Sequence, residues 1–214
     1  MRLRFPSTLA AVAVLALTAG ACGGDDDRAA PPEPVAQVDS LTGRTTAVTL
    51  DAGFVSALES LKVTAGPVGE ATISKQGVAA FPITGGNVTY YEPGTVSPFV
   101  QGELDHDGAG LSLTAGGKRV ELTDFVIDPG ASVLTGTVSV DGAVAAEDVP
   151  LFFLDGRTLN PLEVNESNGT AILEGTMVKL KAEAAELLNQ TFGIQDLEEG
   201  LVVGVAKITI NTDA

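Results

Sequence analysis

Residues 98–142 alternate apolar and polar side chains, and short turn signals interrupt the alternation. A period of two places the apolar side chains on one face of a strand, so this segment predicts a run of antiparallel strands. The turn signals are Asp107-Gly108, Gly116-Gly117, Asp128-Pro129-Gly130 and Asp141-Gly142. They divide the segment into four predicted strands. The rest of the chain must extend or cover this meander, because a sheet has to bury at least one face.

One of these predicted strands changes phase in its middle. Val120 and Leu122 share one parity, whereas Phe125 and Ile127 share the other. A single extra residue in a strand produces such a slip, so we expect a β-bulge near Thr123-Asp124.

Outside the meander, alternation and apolar runs predict further strands and two short helices. The strands are predicted at Thr45–Leu50, Ala71–Ser74, Val78–Thr84, Val88–Glu92, Val149–Leu154, Ala171–Glu174, Thr176–Leu180 and Leu201–Ile210. Apolar residues at helical spacing predict a helix over 53–61, and strong helix formers predict another over 182–189, ended by Gly193. The continuous apolar run Val149–Leu154 is expected to be fully buried. The fold class is therefore mainly β, an antiparallel sandwich or barrel-like domain with two short helices.

The amino-terminal residues 1–21 resemble a bacterial lipoprotein signal peptide. Two arginines precede the apolar run Leu9–Leu17, which is too short to span a bilayer as a helix. Small residues then lead to Cys22, the one cysteine of the chain, where a lipobox has its lipidated residue. The alternative is an ordinary signal peptide cut nearby, which would leave an unmodified thiol. Lipidation at Cys22 would anchor the protein to the cell membrane on its extracytoplasmic side.

Residues 22–44 lack apolar periodicity and contain three prolines within four positions. Such a composition predicts a flexible, acidic and proline-rich tether between the lipidated cysteine and a single domain over 45–214. With a single cysteine the domain has no disulfide, so burial of the core must stabilise it.

The charge balance excludes some partners. The chain has 12 Lys+Arg against 28 Asp+Glu, a formal net charge of −16. An acidic surface repels nucleic-acid phosphates and anionic lipid head groups, so neither is an expected partner.

Catalytic motifs are scarce. A nucleophilic triad needs a histidine beside an activated serine or cysteine, and the chain has one histidine and neither G-x-S-x-G nor S-x-x-K. The sequence therefore predicts a protein that is not an enzyme.

His106 lies between Asp105 and Asp107 at the first predicted turn. The spacing Glu103-x-Asp105-x-Asp107-Gly108 resembles the opening of a calcium loop, but the twelfth position, which should be acidic, is Thr114. Asp105 and Asp107 are thus candidate metal ligands, and an Asp- and Gly-rich turn without metal is the alternative. For His106 the alternatives are a ligand-binding residue and a hydrogen-bonded residue at the rim. The two aspartates are expected to raise the pKa of His106.

The segment Phe99–Leu111 resembles the HtaA domain family of secreted and surface-anchored proteins, which is associated with haem uptake. It has a Phe-x-x-Gly strand, then His106 with Gly108, then a Leu-x-Leu strand. The resemblance covers most of 45–212 and implies a β-sandwich-like fold. It also implies haem binding by a tyrosine near the first helix with a histidine nearby. Here 51–63 contains no tyrosine, although His106 matches the histidine position.

Tyr90 and Tyr91, the chain's only tyrosines, lie on a neighbouring predicted strand and are candidate ligand-binding residues with His106. The alternative is one core ring and one surface ring. Together with the lipobox-like segment before Cys22, the resemblance to the HtaA family implies an extracytoplasmic, membrane-anchored module that binds haem or another small apolar ligand. The alternative function is a structural or adhesive surface domain without a small-molecule ligand.

Overall fold

A computed structural model describes residues 32–212 of the chain. These residues form one antiparallel sheet of thirteen strands, two α-helices and a short 3-10 helix. The predicted mainly β antiparallel fold with two short helices is therefore confirmed. The predicted signal peptide, Cys22 and the first part of the predicted tether lie outside the described residues.

The strands vary from two to sixteen residues in length. They are β1 Ala36–Val38, β2 Arg44–Leu50, β3 Thr64–Gly69, β4 Thr72–Ile73, β5 Val78–Pro82, β6 Gly85–Tyr90, β7 Val100–Ala115, β8 Lys118–Asp128, β9 Val133–Val140, β10 Ala143–Asp155, β11 Glu163–Asn165, β12 Thr170–Leu180 and β13 Val202–Asn211. The helices are α1 Ala52–Ser60 and α2 Ala182–Phe192, with a 3-10 turn at Gly156–Thr158.

The strands follow the order β1-β6-β7-β8-β9-β10-β12-β13-β2-β5-β4 across the sheet, with β3 beside β7 and β11 beside β12. Strands β7 to β10 are neighbours in both sequence and space because short turns join them. The predicted meander over 98–142 thus forms β7, β8 and β9, which are adjacent in the sheet. The predicted turns at 116–117, 128–130 and 141–142 are confirmed by the ends of these strands.

The predicted turn at Asp107-Gly108 is wrong. β7 continues through it, with an irregularity in the pairing to β8 between His106 and Gly110 and with Gly108 at φ 67°. Both halves of β7 pair with the same strand β8, so one long bulged strand replaces two predicted strands. The predicted bulge in β8 is confirmed, because the register with β9 shifts after Thr123 and Asp124 has φ 53°.

The sheet curls so that strands distant in its order touch across the interior. Phe81 on β5 and Phe125 on β8 pack edge to face, with 5.3 Å between their ring centroids. Five strands separate β5 from β8 along the sheet. Twisted sheets of many strands curl in this way, because each strand is rotated relative to its neighbour. The concave face therefore encloses the apolar core.

The two helices begin and end at residues with recognisable capping chemistry. The Asp51 carboxylate accepts the backbone N–H of Gly53 at 2.8 Å, which caps α1. Gly193 ends α2 in the left-handed conformation with φ 69°, as predicted. In residues 32–212 no helix is both long and apolar enough to cross a membrane.

The predicted boundary between tether and domain at 44/45 is wrong. β1 pairs with β6 inside the predicted tether, and Leu41 lies in the core with 3% of its surface exposed. The folded part already includes Val35, whose backbone N–H donates to the Tyr90 carbonyl at 2.8 Å. A three-residue strand is too short to show periodicity, so no sequence pattern predicts β1.

Two further features differ from the predictions. β3 was not predicted, because its Gly66-Pro67 pair is typical of loops rather than strands. The run Val149–Leu154 is not fully buried, since Phe153 exposes 42% of its surface. Leu151 and Leu154 on the same strand do enter the core, so the exposure of Phe153 is local.

Candidate functional site

The concave side of the sheet opens into a cleft of about 690 Å³. Strands as far apart in the sheet order as β1 and β13 contribute to its walls, because the sheet curls around it. On β12 and β13 the lining residues recur with a period of two, which directs one face of each strand inward. These residues are Ala171, Leu173, Ala206, Ile208 and Ile210. The opposite wall is formed by Val38, Val88, Tyr90, Leu104 and Ile127.

Apolar side chains remain uncovered at the rim of this cleft. Val35, Phe153 and Val164 all line it, and each exposes more than two-fifths of its surface. Folded proteins keep few large apolar groups in contact with water unless they meet a partner or ligand there. Sequence reasoning missed all three, since it placed Val35 in the tether and predicted a buried Phe153.

Tyr90 is the aromatic residue with a polar end in the cleft wall. It exposes 7% of its surface, and its ring packs edge to face against Phe99 at 5.8 Å with an interplanar angle of 90°. This packing fixes the ring at the end of β6. The neighbouring Tyr91 follows the last residue of β6, is more exposed and does not line the cleft. The two candidate tyrosines are thus one core ring and one outer ring.

A charged cluster adjoins the apolar lining where β10 ends. The Asp155 carboxylate accepts hydrogen bonds from Arg157 Nε at 2.8 Å and Nη2 at 2.6 Å. Lys179 Nζ donates to the same carboxylate at 2.9 Å. These bonds hold the pKa of Asp155 far below its usual range, with Arg157 as the larger cause. Asp155 and Arg157 both line the cleft. No sequence pattern predicted a functional role for either residue.

His106 is buried in the core and lies outside the cleft lining, with 1% of its surface exposed. Its Nδ1 is 3.1 Å from the Phe125 carbonyl, which only accepts, so Nδ1 carries the proton and donates. In the neutral ring Nε2 then accepts the hydroxyl proton of Thr46 at 2.8 Å. Both ring nitrogens therefore have protein partners. His106 neither reaches solvent nor faces the cleft.

The pKa of His106 is shifted in the direction opposite to the prediction. Burial lowers it, and this effect outweighs the backbone carbonyls of Phe125 and Leu104 and the charge of Asp107, all of which raise it. The prediction rested on the flanking aspartates and is wrong, because it could not include the burial of the ring.

Asp105 and Asp107 lie within the continuous strand β7 rather than in a loop. Partial burial and the nearby Asp107 raise the pKa of Asp105. Across residues 32–212, no group of three or more His, Cys, Asp or Glu side chains is placed to hold a metal ion.

Comparison with known proteins gives likeness in fold. No protein-family model matches the chain, and no curated protein matches it either. The C-terminal domain of HtaA from Corynebacterium glutamicum is similar with a TM-score of 0.54 and 14% identity, covering 80% of this chain and 98% of that domain. The heme binding protein HtaB from the same organism has a TM-score of 0.46 and 10% identity, over 82% of this chain and 95% of its own. At such identity, the HtaA domain shows a shared fold and nothing further.

Proposed function

We propose that this protein is a non-enzymatic binding module that holds a small, largely apolar ligand in its cleft, with haem as the concrete candidate. The observation that carries the proposal is the apolar cleft with uncovered rim residues Val35, Phe153 and Val164. Ligand sites are typically concave, mostly apolar and supplied with a few polar groups, and Tyr90 and Arg157 are such groups here.

Haem suits this set of residues on chemical grounds. Its flat macrocycle needs an apolar cleft, its iron can be ligated by a tyrosine oxygen, and its propionates favour cations at the rim. Tyr90 and Arg157 offer these two polar functions in the cleft lining. The likeness in fold to an HtaA domain, together with the resemblance of Phe99–Leu111 to that family, supports haem as the first ligand to test. In this proposal His106 does not ligate haem. It stabilises the core through its hydrogen bonds to Phe125 and Thr46.

The same proposal places the module at the cell envelope. The lipobox-like segment before Cys22 supports lipidation there, and the short stretch from Cys22 to Val35 would keep the cleft close to the membrane surface. Thirteen residues span at most about 45 Å when fully extended. Cys22 lies outside the described residues, so this part of the proposal rests on the sequence.

The alternative is a structural or adhesive surface domain that binds no small molecule. One observation favours it: His106, which the family resemblance would associate with haem, uses both ring nitrogens inside the core. The HtaA likeness in fold is equally compatible with this alternative.

A haem titration distinguishes the two functions. Binding predicts a saturable Soret band distinct from that of free haem. Ile208→Glu, which puts a carboxylate into the apolar lining, should abolish it. The matched control is Val205→Glu on the same strand, where the side chain is already exposed. If the wild-type protein leaves the haem spectrum unchanged, haem is excluded as the ligand. If, in addition, no apolar probe binds in the cleft, the structural alternative replaces the binding module.

A further inference from the structure

Arg157 and Lys179 place a positive charge beside an apolar wall in a strongly acidic protein. Both cations contact the single carboxylate of Asp155: Arg157 Nη2 lies 2.6 Å and Lys179 Nζ lies 2.9 Å from its Oδ2. The three groups together therefore carry one net positive charge, whereas the whole chain carries −16. A local charge of the opposite sign to that of the surrounding surface attracts an anion to this position in particular.

The Arg157 guanidinium keeps free donors while it is held in place. A guanidinium has five N–H groups, and Asp155 accepts one from Nε and one from Nη2. Three N–H groups remain, and the Arg157 side chain exposes 82% of its surface. The bidentate contact to Asp155 fixes the plane of the group, so less rotamer entropy is lost when an anion binds.

The fixed cation directly adjoins apolar lining. Leu154 directly precedes Asp155 in the chain and Leu159 follows Arg157 by two residues, and both line the same cleft as Arg157. The rim residue Phe153 lies on the same strand end. One ligand could therefore place an apolar body against these side chains and an anionic group against the guanidinium.

We propose that the cleft selects amphipathic ligands that carry a carboxylate next to a flat or extended apolar body, and that Arg157, supported by Asp155 and Lys179, is the residue that binds the carboxylate. This inference rests on the proposed function and narrows its ligand class. It excludes neutral apolar molecules as the preferred ligands, and it applies to haem propionates and to other apolar carboxylates alike.

The test compares two probes that differ only in charge. 1-Pyrenebutyrate has a flat apolar body and a carboxylate, and its methyl ester has the same body without charge. We expect the full chain to bind the acid about five- to tenfold more tightly than the ester, as measured by pyrene fluorescence, since one charge-assisted contact at an exposed site contributes modestly. Added salt should reduce the difference.

Arg157→Gln is the decisive variant, because this exposed side chain is removed without opening the core. It should weaken binding of the acid to the level of the ester and leave the ester unchanged. Lys179→Gln should have a smaller effect of the same sign. The matched control is Arg119→Gln: Arg119 pairs with Glu121 on the β7–β8 hairpin and does not line the cleft. It should change neither affinity.

The outcomes separate this inference from the function on which it rests. Equal affinity for acid and ester, unaffected by Arg157→Gln, would overturn the carboxylate site and leave the apolar cleft intact as a binding site. Failure of both probes to bind would overturn the binding function itself. Equal loss of acid and ester affinity in Arg157→Gln would assign Arg157 to the shape of the cleft rather than to charge recognition, and would also overturn the inference.

Discussion

His106 Nε2 accepts a hydrogen bond from Thr46 Oγ1 at 2.8 Å and so joins β7 to β2 across the interior. Five strands separate these two strands along the sheet. The contact is one of the places where the curled sheet meets itself, and both residues are buried. Because His106 lies at this contact, the single histidine of the chain stabilises the core.

Thr46→Val should destabilise the fold by about 1–3 kcal/mol, because the buried Nε2 of His106 loses its donor. Thr49→Val on the same strand is the matched control, since Thr49 is exposed, and it should change the free energy of unfolding by less than about 0.5 kcal/mol. Urea unfolding measures both. Equal stability of the two variants would contradict a structural role for this hydrogen bond.

The free energy of unfolding should fall as the pH drops below about 6.5. Burial holds the pKa of His106 below that ordinary value, so the unfolded chain takes up a proton there while the folded protein does not. The unfolded state therefore binds more protons and becomes relatively more stable, by up to about 1.4 kcal/mol per pH unit. His106→Gln should remove this component between pH 7.5 and 5.5, as measured by denaturation at each pH. Identical pH profiles for variant and wild type would contradict it.

Tyr90→Phe should weaken haem binding and change the Soret band, because it removes the phenol oxygen from the cleft wall while keeping the ring packed on Phe99. Tyr91→Phe is the matched control and should leave the titration unchanged, since Tyr91 does not line the cleft. If Tyr90→Phe has the wild-type spectrum and affinity, the iron is not ligated by Tyr90.

Deletion of Val35–Val38 should weaken pyrenebutyrate binding about tenfold, because all four residues line the cleft and β1 pairs only with β6. Deletion of residues 26–29 is the length-matched control and keeps β1. Fluorescence titration measures both. Unchanged affinity after the first deletion would show that β1 is dispensable as a wall of the site.

Cys22→Ser should release the protein from the membrane fraction into the soluble fraction, because Cys22 is the one cysteine of the chain and the predicted site of lipidation. Detergent phase partitioning of both forms measures this. A Cys22→Ser protein that stays with the membrane would contradict the anchor, and it would leave the predictions about the cleft untouched.

Much of the fold could be read from local patterns. The β8 bulge followed from the phase slip between Leu122 and Phe125, and the end of α2 followed from Gly193, because both depend on neighbouring residues only. Residues with short or atypical strand sequences, such as β1 and β3, gave no comparable signal.

The candidate site was predicted less well, because it is built by contacts between distant segments. The sequence predicted a ligand- or metal-binding site at His106, Asp105 and Asp107, since a lone histidine between two acids is typical of such sites. Only the curl of the sheet decided that the ring is enclosed and that burial, rather than the flanking charges, sets the direction of its pKa shift. Asp155 and Arg157 are two residues apart in the chain, but only the fold brings Lys179 to the same carboxylate and places this cluster in the lining of the cleft.

The sequence by itself determined the β class, the central meander, most strand positions and the acidic charge of this protein. Alternation, turn residues and composition are properties of the sequence itself. They predict strands and turns even when the residues that pack against a segment are unknown. The tertiary structure alone decided that the sheet curls, that β1 closes one wall, and that apolar side chains from strands as far apart in the sheet order as β1 and β13 meet in one cleft. Those features depend on twist and on pairing between strands far apart in sequence, such as β2 with β13 and the Thr46 contact to His106.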